Sequence, residues 1–531
     1  MFLRRCRYRY KGEVREYAQI VENYRDERGK VKQRIVKSLW RIGSEADWGR
    51  ARKLLGRLKA GEKLVTLSDL KIKGCLEFGP LYVAEKVWEG LGMPKILESP
   101  TTPKRKFDFG KVVFLLATNR LSEPRSELRA YEWIQKEAFV EGKEEIAEQH
   151  LYRALDLLVA NKTKIERAIF NRLKRSIDLS KVFYDLTSSY FEGNTCVLAE
   201  FGYSRDKKLG KKQLVLGIVL ADGLPIAHFV FPGSTTDKTT LRQTIEYLKR
   251  EFKIERVIFI GDRGLVSEEN VEFLEQAGLE YILATKRRTG ELVRELTVEK
   301  LTARDKIEEW LYAREVHREG NRRFILCLNS EVREQTLEEL DHLRVEAEEK
   351  LERLGAKLAG SKKRGDLLNK LVKRTIGNAS KFFEWELSDG KFSYPLRKAV
   401  WNYERAIAGR FLLVTTARLS QSETMLAYKQ LAQIERVFQE LKSFVRLRPI
   451  FHRKESRVKA HVFVCVLALL LEAMMQRKLS VPARRALQEL KRVRVAMMDV
   501  EGEEVGVLTE LDEEQMRILK ELEVETPPRI L

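Results

Sequence analysis

Three acidic residues lie far apart in the chain but in similar surroundings. Asp185 sits within Val182-Phe183-Tyr184-Asp185-Leu186, Asp262 follows Val257-Ile258-Phe259-Ile260-Gly261, and Glu435 sits within Leu431-Ala432-Gln433-Ile434-Glu435-Arg436-Val437-Phe438. Carboxylates are hard oxygen donors, so a converging trio would hold divalent metal, with water and phosphate oxygens in the remaining positions. Two such ions about 3.5–4 Å apart supply what phosphodiester cleavage needs: an activated nucleophile, a stabilised leaving oxygen and neutralised phosphate charge. Each acid alone has an ordinary explanation, since an aspartate at a strand end most often turns the chain or caps a helix. Together they weigh more, because an unpaired charge amid apolar neighbours is costly.

The glutamate segment carries a second pattern. At about 100° per residue, Tyr428, Glu435 and Lys442 fall within roughly 20° of one line on a continuous helix. Leu431, Ile434, Phe438, Leu441 and Val445 make an apolar stripe beside that line. Such a helix buries one flank and presents a tyrosine, a carboxylate and a lysine along its edge. Lys442, Arg446, Arg448, Arg453 and Arg457 then read as a phosphate-tracking strip that continues the helix, against the plainer reading of a solvated basic face. His452 and His461 are nine apart, which fits no short zinc motif and favours packing or a phosphate hydrogen bond over metal.

Composition points to a polyanionic partner. The 531 residues carry a net charge of +21 with a pI near 9.5. The excess is uneven: residues 1–60 hold 18 Lys/Arg against 7 Asp/Glu, and residues 441–460 hold 7 against 1. Near the N-terminus Tyr8, Tyr10, Tyr17 and Tyr24 interleave with Arg4, Arg5, Arg7, Arg9 and Arg15, a mixture suited to DNA, or to a hairpin whose tyrosines simply pack. Five scattered cysteines without paired spacing argue against a disulfide framework and a zinc site, and suit a reducing, cytoplasmic setting. No signal peptide follows Met1, and the apolar run 462–471 is too short to cross a bilayer, so it reads as a buried helix and no membrane partner is expected.

The elements that must position these residues follow from local pattern. A length of 531 residues exceeds one core and implies about three or four structural units. Residues 1–62 read as a basic hairpin (strands 14–23 and 31–40) plus a helix starting at Ser44, a DNA-binding candidate. Helical periodicity over 80–93, 110–120, 125–140 and 145–160 makes 63–178 a helical domain. From Lys181 three strands, with Asp222-Gly223 as a tight turn, are followed by alternating helix and strand, which describes a mixed α/β sheet. That core spans 179–285 and 411–480, interrupted by an insertion domain at 286–410 whose helix carries Leu337, Leu340, Leu351, Leu354 and Leu358 and is broken at 360–365. The leucine stripe reads as insertion-domain core rather than a coiled-coil contact. Residues 481–531 form a helical tail. Asp185 and Asp262 meet if their strands are neighbours.

These residues match a known pattern. The chain resembles the DDE transposases of bacterial insertion sequences, in the branch with a Tyr-Arg-Glu-Lys signature: Tyr428, Glu435 and Lys442 keep its spacing, Asp262-Arg263 looks like the second-aspartate motif, and Phe183-Tyr184-Asp185-Leu186-Thr187-Ser188 like the first. Similar stretches include Arg120-Leu121-Ser122-Glu123-Pro124-Arg125-Ser126, Leu151-Tyr152-Arg153-Ala154-Leu155-Asp156, Gly202-Tyr203-Ser204-Arg205-Asp206, Arg448-Pro449-Ile450-Phe451-His452 and Arg457-Val458-Lys459-Ala460-His461. The resemblance covers about 1–475. It implies a ribonuclease-H-like core with a largely β-stranded insertion before the glutamate, and two Mg²⁺ ions (Mn²⁺ substituting) held by Asp185, Asp262 and Glu435, with Asp185 bridging both. It also implies DNA contacts by Tyr428 and Lys442, and a nucleoid-associated homodimer holding the terminal inverted repeats of its own element before joining them to target DNA. The signature arginine is replaced by Leu431, which takes one phosphate contact away. A transposase-derived DNA-binding protein without cleavage, and a general metal-dependent nuclease, are the alternative functions.

Overall fold

The computed structural model describes residues 1–10, 13–61, 70–98, 107–192, 195–204, 210–254, 257–262, 264, 267–285, 290–358, 366–388, 391–500 and 502–531. Arg205, Asp206, Arg263 and the 360–365 interruption lie outside the described residues. The chain forms two compact units, Met1–Cys75 with Val495–Thr509 and Pro528–Leu531, and Leu76–Arg494 with Glu510–Pro527. That is fewer than length alone implies, because the helical segment and the sheet share one unit.

In the first unit β1 (Phe2–Tyr10), β2 (Glu13–Arg25) and β3 (Val31–Ile42) form an antiparallel sheet. The hairpin expectation holds for β2 and β3 but misses β1, whose arginines mask a strand. Arg5 and Arg7 reach Glu16 on β2 at 3.6 and 2.6 Å, so the cross-strand charges are matched. Helix α1 (Glu45–Lys59) starts at a capping box between Ser44 and Asp47, where the sequence put it. A second sheet joins β4 (Leu70–Glu77) to two late strands, described below.

The second unit opens with helices α2 (Gly79–Gly90), α3 (Met93–Glu98), α4 (Phe109–Ser122), α5 (Glu127–Lys136), α6 (Glu148–Ala160) and α7 (Lys162–Leu173). The core follows as β5 (Lys181–Tyr190), β6 (Gln213–Ala221), β7 (Leu224–Pro232), α8 (Asp237–Phe252), β8 (Ile258–Gly261), α9 (Glu268–Gln276) and β9 (Glu280–Ala284). Asp222 and Gly223 both have positive φ, 50° and 75°, the left-handed pair that a two-residue hairpin requires. Strand order β7-β6-β5-β8-β9, with β5, β8 and β9 parallel and β6 antiparallel to both neighbours, is the ribonuclease-H-like arrangement.

After α10 (Glu291–Val298), strands β10 (Lys306–Glu308), β11 (Leu311–Glu319) and β12 (Arg322–Asn329) do not build a separate domain. They extend the core sheet through β15 (Arg410–Thr415), which pairs with both β12 and β9. The remainder of the insertion is mostly helical, not β-stranded: α11 (Ser330–Leu358), α12 (Asp366–Ile376), a small hairpin of β13 (Glu386–Ser388) and β14 (Lys391–Ser393), and α13 (Lys398–Ala406). Leu351, Leu354 and Leu358 are buried there with Phe382 and Trp401, which supports the insertion-core reading of the leucine stripe.

The chain ends with α14 (Gln421–Lys429), α15 (Ala432–Ser443), α16 (Glu455–Gln476), α17 (Ala483–Leu490), β16 (Arg494–Val500), β17 (Glu503–Leu508) and α18 (Glu513–Glu521). The tail is therefore not all helical; β16 lies between β17 and β4 in the first unit's second sheet. Helix α16 is long and apolar enough to cross a membrane, with mean hydropathy of 2.0 over its best window, but 78% of that window is buried against protein. It packs on α4, α6 and β7 as a core helix. All five cysteines are free.

Candidate active site

Register brings the two aspartates together. Tyr184 of β5 and Gly261 of β8 are partners on adjacent parallel strands, so Asp185 and Asp262, each one residue further on, are neighbours across that pair. Val182, Tyr184, Leu186 and Phe259 belong to one buried face of the sheet. Alternation places Asp185 on the opposite face, and α15 packs against β5. Both aspartates are half-buried, whereas Glu435 is exposed on α15. The premise that all three acids sit in costly apolar surroundings thus fails for Glu435.

The helix expected to run unbroken through Tyr428, Glu435 and Lys442 is two helices. The amides of Gln430, Leu431, Gln433 and Ile434 donate to carbonyls three residues back, at 3.2, 2.9, 2.9 and 3.0 Å. Those steps turn about 120° per residue rather than 100°, so the three side chains do not share one helical line. Tyr428 instead lies in the last turn of α14, with its hydroxyl donating to Asp262 Oδ1 at 3.3 Å. Leu431, in the break, is buried. Among the described residues, the only His, Cys, Asp and Glu trio with ligand atoms within 4.8 Å of one another is Glu127, His452 and His461, so Asp185, Asp262 and Glu435 are not drawn to that spacing. Repulsion between like charges opposes it.

The basic strip does not continue α15. The helix stops at Ser443, and Phe444–Lys454 is an irregular connection in which Arg446 takes φ of +49°. Arg446 and Arg453 are exposed, and Lys442 is half-buried. Arg448 stacks over the Tyr190 ring at 4.4 Å. Arg457, on α16, forks onto Asp156 with two contacts of 2.9 Å, so its guanidinium is engaged with protein.

One buried cluster was only half visible in the sequence. Glu127 Oε1 lies 3.1 Å from His461 Nδ1 and 3.0 Å from His452 Nε2, the second at an angle poor for a hydrogen bond. Burial alone would raise the Glu127 carboxyl; His452 and His461 outweigh it and hold it well below the usual range. Burial pushes the His461 imidazole down, but Cys465 and Glu127 outweigh burial and Arg120, and its pKa is raised to about 9. The two histidines were legible as a pair, but nothing local marks Glu127, 334 residues away, as their partner.

Paired aspartates on the central parallel strands of a ribonuclease-H-like sheet define a class of carboxylate-bearing cores suited to divalent metal and phosphate. The chain belongs to the DDE transposases: residues 180–471 match the transposase DDE domain, and residues 3–65 match the N-terminal domain of IS1634 family transposases. No curated protein sequence matches the chain. Among solved structures, the piggyBac transposase synaptic complex with hairpin DNA is 9% identical, with a TM-score of 0.37, covering 78% of this chain and 79% of that one. The Mos1 transposase paired-end complex with the left transposon end is 15% identical, with a TM-score of 0.15, covering 34% and 60%. At these scores the likeness positions no residue.

Proposed function

We propose that the protein cuts the ends of its own insertion sequence and joins them to target DNA, with Asp185, Asp262 and Glu435 as the reacting site. The observation that carries this reading is the register that leaves Asp185 on β5 and Asp262 just past the end of β8, each one residue beyond the paired Tyr184 and Gly261, inside the stretch that matches the DDE domain. Oxygen donors on adjacent strands, with a third acid on the helix packed against β5, fit hard divalent ions. Magnesium, or manganese in its place, would be held by these three residues and would supply charge neutralisation at the phosphate and an acidified attacking water. Tyr428 fixes the Asp262 carboxylate through its hydroxyl. The reaction is in-line attack of water at the element's end, releasing a 3′-hydroxyl that then attacks a phosphodiester of target DNA.

Lys442, Arg446, Arg448 and Arg453 would hold phosphates near the cut, with Arg457 bracing the segment through Asp156. The basic first unit would bind the terminal repeats, and two protomers would hold two ends in the cytoplasm, at the nucleoid.

The test is nicking of duplex DNA carrying the inverted repeats that flank the protein's own reading frame. Asp185→Asn, Asp262→Asn and Glu435→Gln should each lower Mg²⁺-dependent nicking at least about 100-fold while sparing the gel shift. Normal nicking by any one variant removes that residue from the site. Wild-type binding without nicking would leave a DNA-binding protein, and equal degradation of unrelated DNA a general nuclease.

A further inference from the structure

The connection that leaves α15 is held by side chains from the helical part of the same unit. Arg120, on α4, donates from Nη1 to the Arg446 carbonyl at 3.4 Å. His461 Nε2 lies 3.0 Å from the Leu447 carbonyl, a contact that requires a proton on Nε2. Two consecutive carbonyls are thus gripped from two different helices. Glu127, the first residue of α5, ties the grips together: its Oε1 takes His461 Nδ1 at 3.1 Å and lies 3.7 Å from Arg120. Glu127, Arg120 and His461 are each at most 5% exposed. The held segment carries Arg446, exposed and in the left-handed region that an L side chain adopts only when its surroundings fix it.

A metal ion is the competing occupant, since a carboxylate and two imidazoles suffice for one by count. The Arg120 guanidinium opposes it, standing 3.4 Å from the His461 Nδ1 that would be a ligand. Arg120 with a protonated His461 already provides the counter-charge that the Glu127 carboxylate needs.

We propose that Glu127, Arg120 and His461 form a positioning cluster that sets the backbone at Arg446 and Leu447, so that Arg446 is presented to a DNA phosphate just beyond the Glu435 helix. This rests on the transposase reading above. None of the three touches DNA; they act through the carbonyls they hold.

The experiment is fluorescence anisotropy of the full-length protein with a mixed-sequence 30-bp duplex across a salt series, because phosphate contacts do not depend on sequence. Arg446→Ala should weaken binding several-fold and lower the log–log salt slope by about one. Glu127→Gln should reproduce both changes, and the double variant should be no weaker than Arg446→Ala alone, since the two changes remove one interaction. Additive losses, or a Glu127→Gln protein that keeps the wild-type slope while Arg446→Ala lowers it, overturn the positioning cluster. An Arg446→Ala protein with unaltered slope instead sinks the phosphate strip itself. If Glu127→Gln does not fold, Arg120→Lys, which keeps the charge and loses the reach to the carbonyl, carries the same comparison. Stoichiometric zinc bound by wild type and lost in Glu127→Gln also overturns the proposal, in favour of a metal site.

Discussion

Tyr428, in the last turn of α14, reaches the proposed reacting site, because its hydroxyl is bonded to Asp262. A hydrogen bond to a charged acceptor contributes about 1.5–3 kcal/mol. Tyr428→Phe should therefore slow single-turnover nicking about ten- to a hundredfold with the gel shift unchanged; loss of DNA affinity at an unchanged rate would make Tyr428 a DNA contact instead. Glu166, like Glu127, ties stability to low pH. It is fully buried on α7, with Lys162 Nζ and the Tyr247 hydroxyl at 2.5 Å and the His228 amide at 3.2 Å. Burial would raise its carboxyl, but Lys162 and His228 outweigh burial and hold it at about 2. A carboxylate with a depressed folded pKa stabilises above its ordinary value near 4.5 and loses that contribution as pH falls through about 2. Glu166→Gln should cost about 1–3 kcal/mol at neutral pH, where it takes the counter-charge from the half-buried Lys162. Denaturant midpoints measured from pH 7 to 2 should fall more steeply below 4.5 for wild type than for the variant.

The helices and strands show why some of this was readable and some was not. Leu431 occupies the signature arginine position, and the structure supplies a reason beyond substitution: the site lies in the turn between α14 and α15 and is 7% exposed. Leu431→Arg should not restore a phosphate contact. It should lower stability by a few kcal/mol, about 2–4, by burying an unpaired guanidinium, visible as a lower thermal midpoint with nicking no faster. The β6–β7 turn at Asp222-Gly223, the capping box at Ser44 and Asp47, and the apolar strands around Asp185 and Asp262 were legible because each is decided by residues within a few positions. The break after Tyr428 was not, because it follows from hydrogen bonds that tighten one turn without changing the apolar stripe. Strand β1 was hidden by its arginines, whose partner Glu16 lies on the next strand. The joining of β12 to β15 spans the whole insertion, and the Glu127–His461 pair spans 334 residues, so local pattern marks neither.

For the molecule as a whole, charge and chain path make opposite demands on where it can be cut. The larger basic excess lies in residues 1–60, so a chain lacking β1, β2, β3 and α1 should bind mixed-sequence DNA with a shallower salt dependence and lose the proposed preference for terminal repeats. Where the cut falls decides whether the rest survives. Strand β4, residues Leu70–Glu77, is the edge partner of β16, and Lys73 pins it to Glu504 at 2.6 Å and to Asp499 at 3.4 Å. A chain starting at Leu70 keeps that three-stranded sheet, whereas one starting at Phe78 strips β16 of its edge partner and leaves the hairpin only the short C-terminal segment 529–531, which bonds to β17, and so little to hold it in water. The Leu70 chain should resist limited proteolysis across 494–508 as the full-length protein does, and the Phe78 chain should be cut there within the first minutes. Equal resistance in both would show that the late hairpin needs no β4, and that the N-terminal segment is dispensable to the fold at either boundary.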